Sequence, residues 1–355
     1  MEPFAGMEAM DHEQVVYCHN RELGLRAIIA IHDTTLGPAL GGCRFYDYAN
    51  EADALRDVLR LSRGMTYKAA VAGLELGGGK SVIIGDPRTK NPAQMRAFGR
   101  HVASLGGRYI TAADMNTGER DMNAIRRETR WVTGVSPDLG GHGDPGPATA
   151  LGVFHGIRAC LDVVYGSPDV KGRSIAIQGV GSVGFALAQH LHDHGASLIF
   201  SDVSAKNLTR ATEAFGGTVV DGADFYSLEC DVLAPCAIGA VVHERNIPAI
   251  RAPIIAGSAN NVLEVEDRDG PLLQEHQITY APDYVINAGG LILVHAEIHG
   301  WPMERALADA AGIFDTVTHV LNRAKVEGIT THEASDRIAE ERIAQAAETQ
   351  RLRIP

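Results

Sequence analysis

The sequence predicts an α/β protein with two domains, and three observations carry this prediction. The chain has 355 residues, which is enough for two domains of roughly 150 residues each. Its second half alternates strand-like and helix-like patterns, which predicts a parallel sheet covered by helices. A stretch dense in Gly, Pro, Ser and Asp at 136–147 separates the two halves, and we interpret it as the hinge between domains.

Short strand and helix patterns alternate in the first half. Residues 27–31 (AIIAI) predict a strand, and residues 51–63 carry apolar side chains at helical spacing. The segment 73–87 predicts a glycine-rich turn, then a strand, then a second turn closed by proline. Residues 92–105 predict another helix.

The second half predicts a series of strands with a helix after the first of them. Residues 185–195 predict this helix, with Gly195 just beyond its end. The strand candidates are 174–178, 197–202, 231–235 and 253–257.

The end of the chain is predicted to be helical. Residues 303–326 predict one long helix. Another begins at Thr330, which has capping-box spacing to Glu333, and we expect it to pack back on the first domain. The predicted first domain therefore spans 1–140 and is completed by 329–355, and the second domain spans 145–328.

Composition limits the partners of the chain. Charged residues are 32 Lys+Arg against 44 Asp+Glu, a net charge of −12, and aromatic residues are 6%. A nucleic-acid reader usually needs a basic face and stacking aromatics, so we expect no nucleic-acid partner. No signal-peptide pattern is visible, and the apolar runs are too short to cross a bilayer. Five scattered cysteines favour reduced thiols, so we expect a cytoplasmic protein with no membrane partner.

A dinucleotide-binding motif follows the first strand of the second half. Its residues are Gly179, Val180, Gly181, Ser182, Val183 and Gly184, in the pattern G-x-G-x-x-G. The three glycines serve the tight turn, the close approach of the pyrophosphate and the packing of helix on strand. Asp202 lies eighteen residues beyond Gly184 at the end of the next strand. It can accept hydrogen bonds from the ribose hydroxyls and would repel a 2′-phosphate, which favours NAD over NADP as the cofactor.

Two lysines and an aspartate in the first half form a second candidate site. Lys80 follows three glycines, which leave room for a substrate beside the main chain. A partly buried Lys80 with Lys68 nearby should have a lowered pKa, so that its amine acts as a base or polarises a carbonyl. Asp114 could move protons, although an Asx-turn is the alternative explanation for its position. The alternative interpretation of Lys68 and Lys80 is that both are solvated lysines at the surface.

Three histidines and two cysteines are further candidates for chemistry. His190, His192 and His194 suggest a metal site because His190 and His194 share a helix face, but no third ligand of the right type is evident, so no metal site is predicted. Cys230 and Cys236 lack the spacing of a redox pair and are interpreted as buried thiols.

Long motifs along nearly the whole chain resemble the amino-acid dehydrogenases of the glutamate/leucine/phenylalanine/valine group, and most closely their leucine and valine branch. The motifs are AIIAIHDTTLGPALGG, LRLSRGMTYKAA, LELGGGKSVIIGDP, GGRYITAADMNTG, IQGVGSVG, APCAIGA, AGSANN and YAPDYVINAGG. The resemblance implies an N-terminal mixed α/β substrate and oligomerisation domain and a C-terminal Rossmann NAD-binding domain. It also implies a homo-oligomer, between dimer and octamer.

The resemblance assigns roles to individual residues. It implies that Lys80 is the catalytic lysine, that Asp114 handles protons at the amino group and that Lys68 binds the substrate carboxylate. The remaining positions implied to contact the substrate are Gly41, Gly42, Leu40, Ala112, Ala113, Asn261, Leu291 and Val294. Those implied to contact the cofactor, beside the glycine motif and Asp202, are Thr149, Asn260 and Asn287.

The implied reaction converts an L-amino acid, water and NAD⁺ to a 2-oxo acid, ammonia and NADH, in a cleft expected to close for the hydride step. The side-chain pocket positions are apolar, and Leu40 stands where the glutamate enzymes have a lysine, so leucine, valine or isoleucine is the expected substrate. MNTG after Asp114 resembles the aromatic-specific members, so phenylalanine or tryptophan is the alternative. A non-catalytic NAD-sensing protein is a remote alternative, and it predicts a damaged lysine site.

Overall fold

The structure of the chain is a computed structural model that describes residues 2–351. Its residues divide into two compact units. The first unit comprises the described residues up to Asp144, the segment Val294–Pro302 and those from Ala339 onward. The second comprises Pro145–Leu293 and Met303–Ile338. The predicted terminal segment 329–355 extends beyond the described residues at 352–355.

The first unit is built on a five-stranded mixed sheet. Its spatial order is β1-β2-β4-β3-β5, in which β3, β4 and β5 run parallel and β2 is antiparallel to both of its neighbours. The strands are β1 Gln14–Asn20, β2 Leu25–Asp33, β3 Ala39–Tyr46, β4 Gly77–Ile84 and β5 Tyr109–Ala113. The helices of this part of the chain are α1 Pro3–Met10, α2 Glu51–Val71, α3 Pro92–Ser104 and α4 Glu119–Arg126.

Both faces of this sheet are covered, which explains why β2 is apolar along most of its length rather than alternating. On one face Ile28 and Ala30 pack with Leu55 and Leu59 of α2. On the other, alternate residues of the same strands pack with side chains of α3 and α4 in a larger cluster that includes Phe98. The sheet is therefore a middle layer, with α2 on the face that carries Lys80.

The prediction of a glycine-rich turn before Lys80 was wrong, because all three glycines belong to β4. A Cβ at Gly78 would lie 2.0 Å from Oγ1 of Thr66 on α2, and one at Gly79 would lie 2.7 Å from the Tyr109 ring. The glycines therefore allow α2 and Tyr109 to pack closely on the strand.

The helix predicted at 51–63 continues to Val71 and begins at the cap Asn50, whose side chain accepts a hydrogen bond from the Asp53 amide at 3.0 Å. Because of this extension Lys68 lies on the last turn of α2.

The second unit contains a six-stranded parallel sheet. Its spatial order is β11-β10-β9-β6-β7-β8, which is the 3-2-1-4-5-6 order of a Rossmann fold. The strands are β6 Ser174–Gln178, β7 Ser197–Ser201, β8 Thr218–Val219, β9 Val232–Pro235, β10 Ile254–Ile255 and β11 Thr279–Tyr280. The helices from residue 146 onward are α5 Gly146–Tyr165, α6 Ser182–Asp193, α7 Ala205–Phe215, α8 Glu266–Glu275, α9 Asp283–Ile286, α10 Gly289–Ile298, α11 Met303–Ala311, α12 Ile313–Glu327 and α13 Thr331–Arg351.

The helix termini test the predicted caps. Gly195 follows α6 with φ of +79°, as predicted for a residue just beyond a helix end. The Glu333 amide donates to Oγ1 of Thr330 at 3.1 Å, which confirms the predicted cap of α13. The single helix predicted at 303–326 was wrong: the chain forms α11 and α12 with Gly312 between them, and glycine is a poor helix former.

The two units differ from the predicted domains in two segments. Val294–Pro302 belongs to the first unit, where Glu297 accepts hydrogen bonds from the amides of Gly134 and His142 at 2.9 and 3.2 Å. The terminal helix is divided after Ile338. Both differences come from long-range contacts that local sequence patterns do not encode.

The two halves of α13 make separate contacts. Arg342 donates to the Ala70 carbonyl at the end of α2 at 2.9 Å, so the last part of α13 packs on the first unit as expected. Tyr284 hydrogen-bonds to Asp336 within the second unit, which the prediction did not include.

Candidate functional site

Lys80 is a buried lysine paired with a carboxylate. It lies on β4 with 6% of its surface exposed, and its ammonium donates a hydrogen bond to Oδ2 of Asp114. Burial lowers the pKa of Lys80 and the positive charge of Arg44 lowers it further, to about 7, with a smaller contribution from Lys68. The negative charge of Asp114 favours the ammonium form, so removal or protonation of this carboxylate would make the free amine more available.

Asp114 is held by a turn that is tied to β3. The turn closes when the Thr117 amide donates to the Asp114 carbonyl at 2.9 Å. Oγ1 of Thr117 then donates to the Cys43 carbonyl at 2.7 Å, and the side chain of Asn116 donates to the Phe45 carbonyl at 3.0 Å. The Met115 amide donates to Oδ1 of Asp114 at 2.5 Å. Oδ1 of Asp114 therefore takes part in the local turn, while Oδ2 contacts Lys80.

Gly41 and Gly42 lie on β3 beside this pair, and neither position has room for a side chain. A Cβ at Gly41 would lie 1.6 Å from the Gly79 carbonyl oxygen, and one at Gly42 would lie 2.7 Å from Cβ of Asp114. The Tyr109 hydroxyl donates to the Gly41 carbonyl at 2.7 Å, which fixes the backbone here. The structure thus brings Gly42, Lys80 and Asp114 together.

Four further predicted positions lie on the elements around this site. Leu40 precedes the two glycines on β3 and is 2% exposed. Ala113 is exposed and Ala112 half-buried at the end of β5, directly before Asp114. Lys68, on α2, is half-buried.

Arg44 is a charged residue of this site that the sequence did not reveal. Its guanidinium contacts Asp57 of α2 at 2.8 Å and Asp114 at 3.5 Å. A predicted strand at β3 would have indicated this residue. Arg44 lies two residues after Gly42 on that strand, so the two share one face of the sheet.

The glycine loop of the second unit has the geometry of a phosphate-binding turn. Gly179 has φ of +90°, and a Cβ at Gly184 would lie 1.9 Å from the Gly179 carbonyl oxygen, so α6 packs tightly on the turn. A Cβ at Gly181 would meet no atom within 4 Å. This open backbone at the start of α6 fits a pyrophosphate, which the helix N-terminus would stabilise.

Asp202 is bound to the same loop. Its Oδ2 accepts a hydrogen bond from the Val180 amide at 2.8 Å, and its Oδ1 accepts one from the Ser204 amide at 2.7 Å. Burial raises the pKa of Asp202, but these two amides, the side chain of Asn207 and the charge of Arg210 outweigh burial and lower it below the ordinary value. Asp202 is therefore an anion that also supports the glycine loop.

The second unit carries the other predicted cofactor positions, Thr149, Asn260 and Asn287, and the predicted substrate position Asn261. Asn287 is 4% exposed and donates to the side chain of Asn260 at 2.8 Å, so the structure brings these two together. Asn261 is exposed and has φ of +52°. Thr149, in the first turn of α5, donates to the Pro145 carbonyl at 2.9 Å and would be met by a Cβ on Gly290 at 2.8 Å.

The last two predicted pocket residues lie on α10. Leu291 is 7% exposed and belongs to the second unit, whereas Val294 is half-buried and belongs to the first. They are three residues apart on one helix, so their side chains share a face.

His190 and His194, the candidates for a metal site, pack around an aromatic ring. The ring centroids of His190 and His194 lie 5.6 and 4.7 Å from that of Phe154. Within residues 2–351, no three His, Cys, Asp or Glu side chains are grouped as metal ligands would be. No helix in this described part of the chain has the length and apolar character needed to span a bilayer.

Comparison with known proteins gives consistent matches along the chain. Residues 12–131 match the family model "Glu/Leu/Phe/Val dehydrogenase, dimerisation domain", and residues 140–206 and 201–351 match "Glutamate/Leucine/Phenylalanine/Valine dehydrogenase". Leucine dehydrogenase of Geobacillus stearothermophilus is 53% identical over 97% of this chain and 94% of its own. Valine dehydrogenase of Streptomyces virginiae is 48% identical over 94% of each chain. The crystal structure of L-tryptophan dehydrogenase from Nostoc punctiforme superposes with a TM-score of 0.87 at 45% identity, covering 97% of this chain and 99% of that one.

Proposed function

This chain belongs to the Glu/Leu/Phe/Val dehydrogenase family, and we propose that it catalyses the reversible, NAD-dependent oxidative deamination of an apolar L-amino acid. Leucine, valine or isoleucine is converted to its 2-oxo acid and ammonia. The observation that carries the proposal is the buried contact between Lys80 and Asp114. A buried lysine with a lowered pKa beside a carboxylate can exchange protons near neutral pH, as deamination requires.

In the proposed mechanism the chain divides the proton chemistry between two side chains. NAD, held by the glycine loop of the second unit, would supply the acceptor for the hydride of the substrate Cα. The Lys80 amine assists the attack of water on the oxidised substrate carbon, and Asp114 passes protons to the departing amino group. Lys68 binds the substrate carboxylate as an ammonium ion. Gly42 leaves the space in which this exchange takes place beside the main chain.

NAD is the proposed cofactor, rather than NADP. Asp202 remains ionised because its pKa is lowered, and a carboxylate at the end of the second parallel strand repels a 2′-phosphate. The open backbone at Gly181 is proposed to contact the pyrophosphate, with Thr149, Asn260, Asn261 and Asn287 nearer the nicotinamide.

The apolar character of the pocket positions supports an aliphatic substrate. Leu40, Ala113, Leu291 and Val294 offer no charged partner for a side-chain carboxylate, so glutamate is disfavoured. A tryptophan or phenylalanine dehydrogenase is the second candidate, and the close superposition on L-tryptophan dehydrogenase favours it. One methylene changes binding by only about 1–3 kcal/mol, so the aliphatic substrates should overlap.

We also propose a homo-oligomeric, cytoplasmic enzyme. The match of residues 12–131 to a dimerisation domain supports self-association. All five cysteines are free thiols, which supports a reducing compartment.

The test is NADH formation by the purified protein with Leu, Val, Ile, Phe, Trp and Glu, each with NAD and NADP. We expect the highest kcat/KM with an aliphatic amino acid and NAD. The Lys80→Ala variant should lose turnover but still bind NAD, because the cofactor loop lies in the second unit. A preference for Phe or Trp would support the second candidate, and NAD binding without turnover of any amino acid would support the sensing alternative.

A further inference from the structure

Arg44 occupies a central place among the charges of the first unit. It extends from β3 with about one-fifth of its side chain exposed (19%). Its Nη1 donates to Oδ2 of Asp57 at 2.8 Å, and its Nε faces Oδ1 of Asp114 at 3.5 Å. One guanidinium thus spans a carboxylate of α2 and the carboxylate that contacts Lys80.

Asp57 is itself held in place by a tyrosine. The Tyr48 hydroxyl donates to Oδ2 of Asp57 at 2.6 Å, whereas the exposed Arg60 lies 3.6 Å from Oδ1, beyond hydrogen-bond distance. The contacts therefore run without interruption from Tyr48 through Asp57 and Arg44 to Asp114, and from there to Lys80. Each contact along this path joins two side chains.

We propose that Arg44 is a positioning residue for the deamination reaction, which orients the Asp114 carboxylate toward Lys80 from an anchor on Asp57. This inference rests on the proposed function and adds to it the residues that hold the proton-transfer pair. Arg44 attracts Oδ1 of Asp114, so that Oδ2 faces the Lys80 amine. A guanidinium suits this task because its planar fork can engage two carboxylates at once, which an ammonium group cannot do in the same geometry.

The positive charge of Arg44 has a second effect on the pair. After burial, it is the largest cause of the lowered pKa of Lys80, and Asp57 acts in the opposite direction. The other groups that influence the pKa of Lys80 are Cys43 of β3, which raises it, and Lys68 of α2, which lowers it, while Asp114 contacts the ammonium directly. Removal of Arg44 takes away the positive charge that lowers the pKa of Lys80 and keeps the opposing effect of Asp57, so the pKa of Lys80 should rise. The acidic limb of the pH–rate profile should then move to higher pH.

The test compares Arg44→Gln and Arg44→Lys with Arg60→Gln as the matched control. Arg60 contacts the same Asp57 but is exposed on α2 and does not reach Asp114. For Arg44→Gln we expect kcat to fall about 10- to 100-fold, with the KM for the amino acid changing less than about threefold. Its acidic limb should move up by about one pH unit. Arg44→Lys should recover part of kcat, and Arg60→Gln should match the unmodified protein in both readouts.

A second measurement does not depend on turnover. The pH dependence of Lys80 modification by an amine-selective acylating reagent, followed by peptide mass spectrometry without substrate or cofactor, reports the titration of Lys80 directly. In Arg44→Gln its midpoint should move to higher pH. If the unmodified protein turned over no amino acid, the proposed function would fail, yet this midpoint would still test the effect of Arg44.

Results that overturn the role of Arg44 are equally clear. One is an Arg44→Gln variant with kcat within twofold of the unmodified protein and an unmoved pH limb and modification midpoint. Another is an Arg60→Gln variant that reproduces every change. If Arg44→Gln does not fold, Tyr48→Phe removes only the support of Asp57, and it should lower kcat severalfold at unchanged Tm; an unchanged kcat would refute the chain of contacts.

Discussion

Replacement of Gly42 by alanine should displace Asp114 without unfolding the protein. The new Cβ would lie 2.7 Å from Cβ of Asp114 and 2.7 Å from the Ala113 carbonyl oxygen. Ordinary contact begins at 3.4 Å, so the turn that carries Asp114 must move by 3.4 − 2.7 = 0.7 Å or more. Misplacement of a catalytic group by about 1 Å costs about 100-fold in rate. We therefore expect kcat to fall about 10- to 100-fold.

The assay is steady-state NADH formation together with thermal unfolding. Gly64→Ala is the matched control, because the same methyl group added on α2 would meet nothing within 4 Å. The Gly42 variant should keep its folded structure, since the turn after β5 is at the surface, where Met115 is 49% exposed. A Gly42→Ala protein that retained kcat within twofold of the unmodified enzyme would refute the assigned position of Asp114.

Three further predictions follow from the second unit and from a buried histidine pair. Asp202→Asn should raise the KM for NAD about tenfold and narrow the preference over NADP, because a charge and a support of the glycine loop are lost; an unchanged cofactor ratio would contradict this. Gly181→Ala should preserve Tm but weaken NAD binding measured by titration calorimetry. Gly184→Ala should fail to fold, because its Cβ would lie 1.9 Å from the Gly179 carbonyl oxygen. Equal stability and equal NAD binding of the two variants would contradict the roles assigned to these two glycines. Burial lowers the pKa of both His12 and His32 to about 4, below the ordinary value of 6.5. The histidines of the unfolded chain therefore take up protons first, and the free energy of unfolding should fall by about 2 kcal/mol per histidine, about 4 kcal/mol for the pair, as pH drops from 7 to 5. Denaturant titrations of the unmodified protein and of His12→Asn should show a weaker pH dependence in the variant, and equal slopes would remove this pair as the cause.

Four of the six strands of the second unit, β6, β7, β9 and β10, were predictable from local patterns. The predicted strand at 174–178 has the observed bounds of β6, because a short apolar run between turn signals has few alternatives. The glycine motif and Asp202 have fixed spacing, so the sequence alone predicts that they meet. The strand predicted at 253–257 is only Ile254–Ile255, since the ends of strands depend on pairing with neighbours that a local pattern does not report.

The first unit shows what a local reading misses. Three consecutive glycines suggest a turn, yet Gly77, Gly78 and Gly79 form part of a central strand because a helix and a tyrosine ring pack against them. The lysine and the aspartate were predicted individually. The role of Arg44 depends on Asp57, thirteen residues away on a helix that crosses the sheet, so only tertiary structure reveals it.

In the proposed reaction the chain oxidises an amino acid by direct hydride transfer to NAD, with Lys80 as the essential amine. L-Leucine deuterated at Cα, incubated with the enzyme and NAD, tests this proposal when the reduced cofactor is analysed by mass spectrometry. We expect the deuterium on the nicotinamide ring of NADH, and no labelled NADH with Lys80→Ala. Deuterium released to water, or labelled NADH formed equally by the Lys80 variant, would contradict the mechanism.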